Sequence, residues 1–121
     1  MSIFVKFDTP KELSDKAYSL VEIAKESGKI KKGTNEVTKV VERGNAAIVV
    51  MAVDVEPPEI LAHMPILCEE RNIPYIYVPS KAELGNATGL EKPTASIAVM
   101  DVGKAKPILD ELVKALKDLK K

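Results

Sequence analysis

The chain has 121 residues, 45% hydrophobic and 30% charged, the balance of an ordinary folded domain whose core can bury roughly two-thirds of the surface of the unfolded chain. Eighteen basic residues offset eighteen acidic ones, which excludes the broadly basic coat of a nonspecific nucleic-acid binder. A single cysteine, Cys68, excludes an intrachain disulfide, and no apolar run approaches the ~20 residues of a membrane span or the pattern of a signal peptide. We therefore expect one cytoplasmic domain over residues 1–121.

The charges are segregated along the chain. Lys29 to Arg43 carries five basic residues against Glu36 and Glu42. Gly44 to Glu70 carries Asp54, Glu56, Glu59, Glu69 and Glu70 with no Lys or Arg, and Gly103 onward is again basic. Segregation of this kind suits a small, specific contact better than a long-range electrostatic one. Accidental clustering on a solvated surface is the competing explanation.

In chain order, Thr9-Pro10-Lys11-Glu12 forms a capping box with proline at the first helical position. Leu13, Ala17, Leu20, Val21 and Ala24 then repeat at helical spacing, and Gly28 is a plausible stop. Ile30 to Lys32 reads as extended. A second helix starts at Gly33-Thr34-Asn35-Glu36, capped by either Gly33 or Thr34, with Val37, Val40 and Val41 inward and Gly44 ending it. The apolar, β-branched run from Ala46 to Val53 is a strand buried on both faces. Pro58 to Asn72 reads as a helix that Pro65 should break or kink near His63 and Met64. Pro74 to Pro79 is a strand. Ser80-Lys81-Ala82-Glu83 is another capping box, opening a brief helix that should end at Gly85. Gly89 to Thr94 is a loop, Ser96 to Val102 a strand, and Pro107 to Leu119 a helix with lysines outward. This alternation implies an α/β layer fold with helices on both faces of a largely buried mixed sheet.

Catalytic machinery is hard to assemble from these residues. No glycine-rich nucleotide-binding motif follows a strand. His63 and Cys68, five apart with no second pair, do not match a zinc site, and a packed Cys68 is the expectation. With His63 the only histidine, no nucleophile–histidine–carboxylate trio forms. We expect a protein that is not an enzyme and uses no cofactor, no metal and no small-molecule substrate.

The second helix start is the informative feature. A helix N-terminus offers unsatisfied N–H groups and partial positive charge, which attract phosphate. Asn35, Glu36 and Lys39 fall within its first turns and can project together. Lysine matches guanine O6 and N7, a carboxylate accepts from base amino or imino groups, and asparagine does both. A carboxylate among phosphates is costly, so Glu36 points to base edges. The bland reading stays open from spacing: Glu36 stabilises the helix N-terminus and Asn35 is merely solvated.

Gly33-Thr34-Asn35-Glu36-Val37-Thr38-Lys39 resembles the signature of the archaeal ribosomal L-seven-Ae family. Lys29-Ile30-Lys31-Lys32, Val41-Glu42-Arg43-Gly44, Ala62-His63, Leu67-Cys68-Glu69-Glu70, Ile73-Pro74-Tyr75, and Ser80-Lys81 with Leu84-Gly85 extend the likeness over essentially the whole chain. The resemblance implies a three-layer α/β/α sandwich around a four-stranded mixed sheet. It implies binding to kink-turn RNA, whose tandem sheared G·A pairs open a major groove that is otherwise too narrow for side chains. By that likeness Asn35, Glu36 and Lys39 read the guanines. Gly33 and Thr34 allow close approach, Lys32 and Arg43 contact phosphates, and Asp54 meets RNA beside the helix. Leu90, Glu91, Lys92, Pro93, Thr94 and Ala95 form a second contact region over the unpaired bulge nucleotides, although Lys92-Pro93 departs from the more apolar loops of other members. The implied partners are ribosomal RNA, box C/D and H/ACA guide RNAs, ribonuclease P RNA and the proteins of those particles, with no membrane. The alternatives are a protein–protein module of the same superfamily that does not bind RNA, and an enzyme lacking visible machinery.

Overall fold

The computed structural model describes residues 11–54, 59–89 and 92–119. The elements follow the order read from the sequence: α1 (Lys11–Ser27), β1 (Lys29–Lys32), α2 (Thr34–Glu42), β2 (Ile48–Ala52), α3 (Glu59–Glu70), β3 (Tyr75–Val78), α4 (Lys81–Ala87), β4 (Ser96–Asp101) and α5 (Lys106–Leu119), with a 3-10 turn at Gly103–Ala105. The Thr9-Pro10 cap expected for α1 lies outside the described residues.

The four strands form one mixed sheet in the order β1-β4-β2-β3. β4 runs antiparallel to β1 and β2, while β2 and β3 run parallel. Side chains alternate faces along a strand, and here both faces are covered. Ile48, Val50, Ala52, Ile76, Val78, Ile97 and Val99 pack with α1, α4 and α5. Val49, Met51, Tyr75, Tyr77 and Ala98 pack with α2 and α3. This is the expected α/β/α sandwich, and it explains the unbroken apolar run of β2, every residue of which is buried.

Two expectations change. α3 continues through Pro65 instead of breaking there, with the proline ring buried. Packing of Met64 and Cys68 under the sheet offsets the lost amide donor, which costs about 3 kcal/mol in an unsupported helix. α4 does not stop at Gly85 but runs on to Ala87. The reason for a glycine in its middle is tertiary: a Cβ there would collide with the carbonyl oxygen of Lys92 and lie 3.0 Å from its carbonyl carbon and 3.3 Å from the Pro93 Cα.

Candidate RNA interface

Gly33 is the residue on which α2 turns out of β1. Its φ of 92° and ψ of 142° suit glycine and strain other residues. Its N–H donates to the Ser96 carbonyl at 3.2 Å, and its own carbonyl accepts from Val37 N at 2.9 Å. Of the two caps the sequence allowed, the structure selects Gly33, which has no side chain with which to close the helix. The first-turn N–H groups of α2 are thus left for water or an external acceptor.

Val37, Val40 and Val41 are buried against the sheet, which turns the polar side of α2 outward. Asn35, Glu36 and Lys39 are all exposed there. Lys39 Nζ lies 3.7 Å from Glu36 Oε1, and both side chains are more than half exposed. Such a long, solvated pair contributes little to stability, so both groups can exchange it for a better partner. Arg43 caps the far end of α2, about 15 Å from Gly33 at 1.5 Å per residue, in line with Glu36 and Lys39. Thr38 Oγ1, 3.3 Å from His63 Nε2, ties the outer side of α2 to α3.

Strand alternation sorts the lysines of β1. Ile30 packs toward α1, so Lys32 leans to that side while Lys31 shares a face with α2. Both are exposed. Lys31 is a candidate that the assignment by resemblance passed over, although the period of two already placed it beside the helix.

The loop before β4 is built differently. Leu90 and Glu91 lie outside the described residues. Lys92 and Pro93 are exposed, but Thr94 is buried and donates its N–H to the Lys81 carbonyl at 3.0 Å. Ala95 accepts at its carbonyl from Ala52 N at 2.9 Å. Asp54 sits just past β2, where its Oδ1 accepts from Lys81 N at 2.8 Å. Ser80 Oγ accepts from Glu83 N at 3.2 Å, as its capping-box motif predicts. Tyr18 braces the same corner: its OH donates to the Ser80 carbonyl at 3.4 Å and accepts from Ser80 N at 3.2 Å. Partial burial is the main cause that pushes the Tyr18 phenol up to about 12.

These bonds bring Gly33, Asn35, Glu36, Lys39, Asp54 and residues 92–95 to one end of the sheet. Arg43 stands apart, and Thr94 faces inward. Lys81, whose backbone joins Asp54 to Thr94, and Gly85 read in the sequence as a helix start, a helix stop and positions of the family likeness, not as contacts to the loop. Elsewhere Cys68 is buried as expected. No group of three His, Cys, Asp or Glu side chains converges among the described residues.

Among the described residues, fold and site together define an α/β/α sandwich domain with an uncapped helix start beside a braced loop. A family model described as Ribosomal protein L7Ae/L30e/S12e/Gadd45 family matches residues 15–109, and the chain belongs to that family. Among solved structures it is similar to the Giardia lamblia 15.5kD RNA binding protein. The likeness has 31% identity, covers 98% of this chain and 99% of the other, and gives a TM-score of 0.92.

Proposed function

We propose that this protein is a non-catalytic RNA-binding component of ribonucleoproteins that recognises kink-turns through the mouth of α2. The observation that carries the reading is the arrangement at Gly33. A helix start with no side-chain cap presents exposed Asn35, Glu36 and Lys39 side by side, next to the loop that carries residues 92–95. Family membership and the likeness to an RNA-binding protein over nearly the full length of both chains support RNA as the ligand. The mixture of donor, acceptor and carboxylate favours base edges over phosphates as the target.

In this reading α2 enters the widened groove at the tandem G·A pairs. Lys39 donates to guanine O6 or N7, Glu36 accepts from base N–H groups, and Asn35 does either. Lys31, Lys32 and Arg43 supply phosphate contacts on the flanks, and the 92–95 loop covers the unpaired nucleotides. Ribosomal RNA, box C/D and H/ACA guide RNAs and ribonuclease P RNA are the classes of kink-turn it would serve in the cytoplasm. Gel-shift titration of one kink-turn RNA, and of the same RNA with its G·A pairs replaced by Watson–Crick pairs, tests this directly. A strong preference for the first is expected; equal affinity ends the proposal.

A further inference from the structure

We propose that α4 is the template that holds the 92–95 loop in its RNA-binding shape, with Gly85 and Asp54 as the positioning residues. The proposal rests on the kink-turn reading above and adds to it the source of bulge recognition. Two contacts join the loop to α4, and a third fixes the start of α4 itself. Thr94 N donates to the carbonyl of Lys81, the first residue of that helix. The Lys92 carbonyl and the Pro93 Cα lie directly on the bare Cα of Gly85, where a Cβ would find no room. The helix start is itself fixed by Asp54, whose carboxylate accepts from Lys81 N at 2.8 Å. A bond therefore runs from the end of β2 through both backbone polar atoms of Lys81 to Thr94.

The physical consequence is preorganisation. A loop that rests on a helix and is bonded to its first turn loses less freedom when a base packs on it than a loop that must first order itself. Glycine in the middle of a helix is unfavourable relative to alanine. Here it is the only residue small enough for the loop backbone to approach. The burial of Thr94, with its N–H turned to Lys81, says the same: that residue serves the shape of the loop and does not offer a side chain to a ligand. Asp54 has one oxygen committed to α4, so its principal duty is to the protein, whatever its exposed remainder meets.

Gly85→Ala tests the template without threatening α4, because alanine is the better helix former. Binding would be measured to a kink-turn RNA with its bulge nucleotides intact and to the same RNA with those nucleotides abasic. Gly85→Ala should lose about tenfold on the intact RNA, the scale of one lost base-packing contact, and nothing on the abasic one. Asp54→Ala should repeat that pattern. Asp54→Asn, which retains an acceptor for Lys81 N, should restore wild-type discrimination. Circular dichroism and thermal melts report whether each variant folds, and the Asp54 pair carries the test if Gly85→Ala does not. Unchanged discrimination in Gly85→Ala, or an Asn variant as defective as the Ala one, overturns the proposal. If the wild-type protein ignores the G·A pairs, the functional reading fails instead, and the two failures are distinguishable.

Discussion

α2 and α4 begin at the same end of the sheet and begin in opposite ways. α4 is closed by two side chains, Ser80 on Glu83 N and Asp54 on Lys81 N. α2 starts at a glycine with φ of 92° and no side-chain cap. A protein that needed only stable helices would cap both, since an N-cap contributes about 1 kcal/mol. The difference separates two kinds of work. The open mouth keeps its donors and its exposed Asn35, Glu36 and Lys39 for a ligand, while the closed one spends its donors on holding the neighbouring loop still. In the proposed reading, specificity at the first region lies in side chains, and at the second in the shape of the backbone.

That contrast can be broken in four places. The largest effect is expected from Glu36→Ala and Lys39→Ala, each costing about 1–3 kcal/mol in kink-turn affinity. Their melting temperatures should stay close to wild type, because the 3.7 Å exposed pair between them contributes little. Parallel gel shifts and thermal melts would show it, and a large loss of stability would mean that these residues serve the fold. Gly33→Ala comes next. Nothing crowds a Cβ at that position, so the cost is backbone strain, about 2 kcal/mol in denaturant unfolding, with weaker RNA binding besides. Ser80→Ala should cost about 1 kcal/mol of stability and leave discrimination between G·A and Watson–Crick pairs intact, the reverse of the Glu36 pattern.

The smallest effect lies outside the physiological range. The Tyr18 phenol titrates higher folded, at about 12, than its ordinary value of 10.0, because burial disfavours the phenolate. Folding therefore favours the protonated form. The corresponding stability is complete below pH 10 and is lost as pH climbs toward 12. The stability of wild type relative to Tyr18→Phe should fall across that interval if the shift is present, and stay constant if it is not.

Much of the molecule was legible in the chain. The helical spacing of Leu13 to Ala24 and of Val37 to Val41, and the apolar runs that became β2, β3 and β4, follow from local periodicity, which any sequence displays openly. The Gly33 to Lys39 segment was legible as a helix start bearing a mixed polar cluster, since Asn35, Glu36 and Lys39 lie within one and a half turns of each other. Misreadings arose where a residue answers to a partner far along the chain. Gly85 reads locally as a helix end, yet it is a landing place for Lys92 and Pro93. Pro65 reads as a break or a kink, and the burial of Met64 and Cys68 rules out the break by carrying the helix through it. Asp54 and Thr94 remain candidate contacts, and their bonds to Lys81 add a structural duty that no local pattern displays.

Local patterns set the elements, their order and the polar face of α2, because those depend on neighbours three or four residues away. The tertiary structure alone decided the strand order β1-β4-β2-β3, which end of the sheet gathers the candidate residues, and which of them are spoken for inside the protein. Those outcomes depend on hydrogen bonds and close contacts between segments as distant as Asp54 and Lys81 or Gly33 and Ser96, whose pairing no local pattern encodes.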